Sequence, residues 1–549
     1  MCRELGQLKE AEELQTKAVE LRKDQFGEDH AYTLDNMARL ASFFYDQRDW
    51  KKAEALQVKI LNLRKGVLGE EHADTLQSIQ NLAMTYSKQG QWDKSINLQM
   101  QLVEKSKAVL GKEHSATLRY ISKLAFEYGE KGYWEEAQEL HIQVIETKRM
   151  TIGQGHLDTL ASMESLAFTL SRQGKHDQAE KISREVLTLS EDVLRRGAQA
   201  RDDSWALLNL GNWAELLSRQ GKYTEAESIH REALARSEMV FGRKTKYTLP
   251  SMHNLAGCLR RQGKYAEAER LSQENLALRI DIMGKEHRRT LLAMNNLGSV
   301  LHSQGKLAEA EKVYHETLAL RKKTLGTTHE DTLISMNDLS LVFRDQGKYD
   351  KAEQTAQEGL EIREKTFGKN HVFLLPVKNN LAKIYIDQGK YVEAETMLQE
   401  TIRRKTELSG ENHPETLFMK SNLADALSGQ GKWAEAEHMH QAILATRQTK
   451  LGEEHPDTLK STVKLAGAQS GQGKHGDALQ LYEHACKIYQ ETLGLEHPDT
   501  QTCLKDCAES RRRVNEEAST HEGRGNVLQP GNSDGAAKDC AGALGELSI

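Results

Sequence analysis

Between residues 290 and 326 the apolar side chains recur at three- and four-residue steps. Leu291, Met294, Leu297, Val300 and Leu301 share one face of a helix expected over 290–303. Beyond Gly305, the series Ala310, Val313, Tyr314, Thr317, Leu318 and Leu320 predicts a second helix over 307–324. Gly305 and Gly326 stand where each helix must stop, because glycine takes the left-handed cap conformation without a Cβ clash. Each helix carries an apolar stripe that its partner only half covers. The pair must therefore stack on another pair.

The same unit recurs along nearly the whole chain. The turn glycine between the two helices falls at Gly6, Gly90, Gly132, Gly174, Gly221, Gly263, Gly305, Gly347, Gly389, Gly431 and Gly473, with Arg48 at the one position that breaks the series. The step is 42 residues except for 47 between Gly174 and Gly221. A second series in register runs from Gly27 to Gly494. The expected architecture is all-α, a right-handed superhelical solenoid of antiparallel helix pairs. Its parts are a lone second helix within 1–30, eleven pairs over 31–497 with a five-residue insertion near 195–203, a terminal helix over 498–514, and a disordered tail over 515–549. The abrupt start is expected to leave an apolar helix face bare, as in a fragment of a longer chain or a face that pairs with something else.

Composition fits a thin, much-exposed structure. Of 549 residues only 6 are proline, 28% are charged and 38% are hydrophobic. A net charge of −6 gives no basic face for nucleic acid, and no apolar run is long enough to span a membrane. Six cysteines do not make a disulfide framework, so the expected compartment is the cytoplasm.

Within each unit Leu297-Gly298, then Ala310 and Tyr314, follow the tetratricopeptide pattern. The longer frame is narrower. Asn379-Asn380-Leu381-Ala382, the repeated Gln-Gly-Lys-Tyr turn and Gly452-Glu453-Glu454-His455-Pro456-Asp457-Thr458 resemble the 42-residue repeats of kinesin light chains over residues 7–507. Similar arrays follow the nucleotide-binding domains of fungal immune-receptor-like proteins. The resemblance implies a protein-interaction scaffold or adaptor that holds extended or helical peptide segments in its concave groove. The alternative is the sensing array of a larger nucleotide-binding switch protein. The corresponding partners are a kinesin heavy chain or a nucleotide-binding domain protein. The given residues ahead of the repeats carry no heptad pattern of the kind that grips the motor in kinesin light chains.

In the tetratricopeptide fold the position nine before the turn glycine faces the groove. It is Asn81, Asn212, Asn254, Asn296, Asn380 and Asn422, with Asp338 in the same register. An amide carries donor and acceptor, so such a row can clamp an extended backbone, or it can bond to the neighbouring helices. Arg219, His253, Arg260, Arg261 and His302 border the groove at repeats five to seven and would favour a ligand with acidic residues. Alternatively they form a solvated charged edge.

Three patterns invite other readings. The histidines at His30, His72, His114, His156, His287, His329, His371, His413, His455 and His497 lie one repeat apart. That is too far apart to share a zinc ion with ligand bonds of about 2 Å, so they are expected to belong to the loop before each first helix. Cys503 and Cys507 share a helical face without a second ligand pair, and buried thiols are the expected reading. Recurring glutamates such as Glu267 and Glu269 read as solvated faces. No nucleophile elbow, phosphate loop or zinc-protease pair is present, and neither a cofactor nor an enzymatic activity is expected.

Overall fold

The computed structural model describes residues 8–525 apart from 174, 196–199, 220 and 370. It is built of helices, and no strand occurs among the described residues. In chain order they are α1 (Leu8–Phe26), α2 (Ala31–Asp46), α3 (Trp50–Leu68), α4 (Ala73–Lys88), α5 (Trp92–Leu110) and α6 (Ser115–Lys131). Next come α7 (Trp134–Thr151), α8 (Leu157–Arg172), α9 (His176–Arg195), α10 (Ala200–Arg219), α11 (Tyr223–Phe241) and α12 (Thr248–Arg261). These are followed by α13 (Tyr265–Met283), α14 (Arg288–Ser303), α15 (Leu307–Thr324), α16 (Glu330–Asp345), α17 (Tyr349–Phe367) and α18 (Leu375–Asp387). The array ends with α19 (Tyr391–Ser409), α20 (Pro414–Gly429), α21 (Trp433–Leu451), α22 (Pro456–Gly471), α23 (His475–Leu493) and α24 (Pro498–Gly525). Gly6, Gly174, residues 196–199 of the expected insertion and the tail beyond residue 525 lie outside the described residues. Within the expected tail, 515–525 continue α24, where Glu516 and Glu517 face Arg512 and His475.

The repeated sequence motif is a set of bonds between elements. The second glycine closes the outgoing helix with a positive φ, as Gly410 does at 88°. Three residues on, the histidine is the N-cap of the next helix. Its Nδ1 accepts the backbone N–H two residues ahead, at 3.3 Å in His413 and 3.1 Å in His455. The threonine three further on donates to the glycine carbonyl, as Thr416 Oγ1 does to Gly410 at 3.0 Å. In the other loop, Gln430 Nε2 donates to the Tyr391 carbonyl at 3.4 Å, and Lys432 pairs with Glu395 at 3.1 Å. Both partners belong to the preceding repeat. The second glutamate of each Ala-Glu-x-Glu stretch thus holds a neighbour: Glu269 takes Lys306 at 2.8 Å, where the sequence suggested a solvated face. The helix interior needs glycine at Gly298, where a Cβ would lie 2.8 Å from the ring of the buried Tyr314.

From α6 to α22 each first helix also touches the first helix of the next pair, which sets the even-numbered helices on the inside of the curve. The curve closes on itself. Arg48 forms an ion pair with Glu330, Arg172 lies 2.7 Å from His413 Nε2, and His497 Nε2 lies 3.3 Å from the Arg261 carbonyl, six to seven repeats apart in each case. A Cβ on Gly90 would stand 2.7 Å from Val372 Cγ1, so that edge closes on a bare backbone. Successive superhelical turns meet along this seam.

Candidate functional site

Most of the asparagine row lies on the inner face, woven into the scaffold. Asn296 Nδ2 bonds to the His253 ring at 3.0 Å, Asn380 donates to Asn337 at 3.0 Å and Asn422 to Asn379 at 2.9 Å. Asn212 donates to Glu164 at 3.0 Å, and Asn81 accepts from Gln77 at 2.9 Å. Asn422 is buried and Asn254 is exposed. Asp338, at the same register, accepts from Asn295 at 2.8 Å. Each of these bonds except that of Asn81 crosses from one repeat to the next, so the row works as an inter-repeat ladder.

The basic residues are also engaged. Arg261 forks onto Glu215 at 2.9 and 3.1 Å, Arg260 reaches Ser303 at 3.3 Å, and His302 Nε2 pairs with Asp345 at 2.6 Å. Burial pushes the pKa of His253 down. The side chain of Arg219 lies outside the described residues. Carboxylates of adjacent repeats thus answer the positive charge expected at the groove edge.

An inner cleft of about 1080 Å³ lies nearer the N-terminus, between α6, α8 and α10. Phe126 and Phe168 line it and are 49% and 37% exposed, high values for phenylalanine on a concave face. Arg119 and Lys123 stand on α6 beside Phe126, and neither makes an ion pair among the described residues. Trp213 and Asn212 close the far side. Glu164 lies in the wall, and burial raises its carboxyl pKa to about 7 against the hydrogen bond from Asn212. Sequence reasoning singled out only Asn212 here. The missed sign was two phenylalanines one repeat apart, six residues before their turn glycines, where later repeats place Glu215, Gly257 and Ser299.

Among the described residues no group of three His, Cys, Asp or Glu side chains is placed to hold a metal. The ten in-phase histidines serve as caps, each with Nδ1 taken by its own helix.

The tetratricopeptide repeat models match eight stretches, from 34–108 to 418–491, and a ninth over 2–32. The chain belongs to the tetratricopeptide repeat family. Among solved structures it is similar to the nearly identical TPR-like repeats of a Podosopora anserina protein described as a kinesin light chain. The identity is 24%, over 37% of this chain and 95% of that one, with a TM-score of 0.32. BtubC (BKLC) from P. vanneervenii is 19% identical over 43% of this chain and 91% of that one, at a TM-score of 0.36. Yeast Tom70 is 11% identical over 92% and 100%, at 0.44. No curated protein matches. Tetratricopeptide arrays are protein-interaction scaffolds and generally non-catalytic. No described helix of this one is long and apolar enough to cross a membrane.

Proposed function

We propose that the array is an adaptor that captures an extended or helical segment of a partner protein on its inner face, with the α6–α8–α10 cleft as the anchor point. The observation that supports this is the pair of exposed rings, Phe126 and Phe168, beside the cations Arg119 and Lys123. An apolar or aromatic side chain fits between the rings, and acidic neighbours in the same segment meet the two cations. The asparagine ladder then orders the groove that the segment follows, and the exposed amides of Asn212 and Asn254 are the ones open to the ligand. A kinesin heavy chain or a nucleotide-binding switch protein would be the owner of that segment, and the cytoplasm its compartment.

The test uses the full chain and labelled peptides carrying one tryptophan or leucine flanked by Asp/Glu or by Lys, read by fluorescence anisotropy. Acid-flanked peptides should bind more tightly. Phe126→Ala with Phe168→Ala should weaken them at least tenfold while circular dichroism stays unchanged. Equal binding of all peptides by the folded double variant would sink this reading.

A further inference from the structure

Three of the chain's six cysteines meet at one helix contact. Cys486 lies on α23, and Cys503 and Cys507 lie one turn apart on α24; all three are buried. The Cys486 and Cys503 sulfurs are 2.6 Å apart, which places them in direct S–H···S contact. Cys503 also points its thiol at the Tyr482 carbonyl, 3.7 Å away. Cys258, the other described cysteine, sits far off in sequence beside Ser218 and Gln262.

α24 packs on α23 through one face. Cys503, Cys507 and Ser510 are buried, while Gln501, Thr502, Lys505, Ala508 and Glu509 are exposed. Its polar contacts include Ser510 to the His475 carbonyl at 3.2 Å, Thr500 to the Tyr489 carbonyl at 3.4 Å, and the pairs Arg511–Glu483, Lys460–Asp499 and Glu517–His475 at 2.7, 3.3 and 3.7 Å, with its cap His497 on the Arg261 carbonyl. Packing through one face lets such a helix open locally, and opening brings the thiols into solvent.

We propose that Cys486 and Cys503 are a reversible dithiol–disulfide site that reacts with low-molecular-weight disulfides and latches α24 onto the last helix pair.

Cys486 is the attacking group. As thiols, Cys486 donates to Cys503 and Cys503 to the Tyr482 carbonyl; once ionised, Cys486 can take the Cys503 S–H instead, which draws its pKa down against the opposing effect of burial, while Cys503 and Cys507 are shifted upward. In the first step the Cys486 thiolate attacks one sulfur of the small disulfide. A Cys486 mixed disulfide forms, and one small thiolate leaves and takes the proton that Cys486 gave up. In the second step the Cys503 thiolate attacks Cys486 Sγ, which expels the second small thiolate, and the Cys503 proton goes to that group. Two electrons and two protons pass from the protein dithiol to the small disulfide, which departs as two thiols. An excess of small thiol reverses both steps. With α23 and α24 joined, the terminal helix can no longer swing away from its partner.

The full chain, equilibrated over a series of reduced-to-oxidised glutathione ratios, is acid-quenched and alkylated. Linkages are then mapped by mass spectrometry and α24 amide exchange is followed in parallel. The expected result is one two-electron transition that yields a Cys486–Cys503 link and slows α24 exchange at least tenfold. Cys507→Ser should keep both effects, and Cys503→Ser should abolish both. Three free thiols at the most oxidising ratio would overturn the proposal. So would a link joining a different pair, or a correct link that leaves α24 exchange unchanged. The wild-type measurement decides even where a variant misfolds.

Discussion

The stretches α3–α8 and α15–α20 share one backbone pattern and join their helix pairs with different chemistry. In both, a residue of one pair's second helix meets a residue five before the next turn glycine. In the first stretch these meetings are polar: Thr85 Oγ1 donates to Gln57 at 2.6 Å, Glu127 faces Gln99, and Thr169 lies at the position facing His141. In the second they are Val342 with Tyr314, Ile384 with Ala356 and Ala426 with Leu398. All of these side chains are buried. The 42-residue frame therefore does not rest on the core filling. It rests on the histidine caps, the Thr–Gly bonds and the Gln clasps, which both stretches have. In a one-dimensional array the coupling between neighbours sets how far opening spreads. Polar joints couple more weakly, so the first stretch, which also holds the aromatic cleft, should open independently of the second.

The severest way to break this contrast is to put the first stretch's chemistry into the second. Val342→Glu places a carboxyl in a site with no exposure, against Tyr314. It should destabilise the local pairs by about 4 kcal/mol or more at pH 8. Hydrogen exchange in urea, resolved by helix, should show α15–α18 opening with little change in α3–α6. A loss below about 1 kcal/mol would show that the apolar joint is already loose.

Acid should act on the two stretches differently. Burial holds His329, His371 and His413 at a pKa of about 4. Each cap needs the neutral ring, because a protonated Nδ1 cannot accept. Their contribution is present above about 6.5, the unfolded value, and is lost as pH falls toward 4, by at most about 3 kcal/mol each. In the first stretch His141, also at about 4, follows the same sign, but Glu127 and Glu164 oppose it. Their carboxyls are raised to about 7. Their contribution is complete below about 4.5 and is lost as pH rises through 7. Asp338 and Asp387, raised by burial, oppose the histidines within α15–α20, so between pH 7.5 and 5 that stretch should lose more stability than α3–α8. Rate-corrected hydrogen exchange checks this, and parallel curves would refute it.

A gentler change sharpens the contrast from the other side. Gln99→Ala with Glu127→Ile copies the Ala356–Ile384 joint. It should stabilise the α5–α6 contact by about 1–3 kcal/mol at pH 8, where Glu127 is ionised, and by less at pH 5.5. Stability of this pair unmoved by pH would mean that Glu127 titrates in solvent.

Helix periodicity and the two glycine series made the repeat frame legible to within a residue or two, because capping and pairing are local and recur. The histidines were legible as loop residues, but not as N-caps, since serine, threonine, aspartate and asparagine usually hold that place. The groove was legible as a face. What each side chain does there was not. The partners of Asn296, Asn380 and Arg261 come from the adjacent repeat, 43 to 46 residues away, and only the stacking angle decides that they meet. For the same reason Phe126 and Phe168 read as two more apolar residues until curvature exposed them.

The smallest expected effect concerns Arg48, the residue that interrupts the turn-glycine series. Its φ of 60° confirms the left-handed turn, and Arg48→Gly should on that ground gain up to about 1 kcal/mol. Arg48 also reaches across the seam to Glu330 in the next superhelical turn. A partly exposed pair of that kind is worth about 0–1 kcal/mol, so the two effects nearly cancel in the wild-type background. In a Glu330→Gln background the pair is already gone, and Arg48→Gly should then show its full gain. The difference between the two backgrounds, from thermal unfolding of both single variants and the double variant, is the coupling energy of the seam at this point. A difference near zero would mean that the turns touch here without holding one another. A difference approaching 1 kcal/mol would mean that the first turn gave up glycine to fasten the superhelix shut.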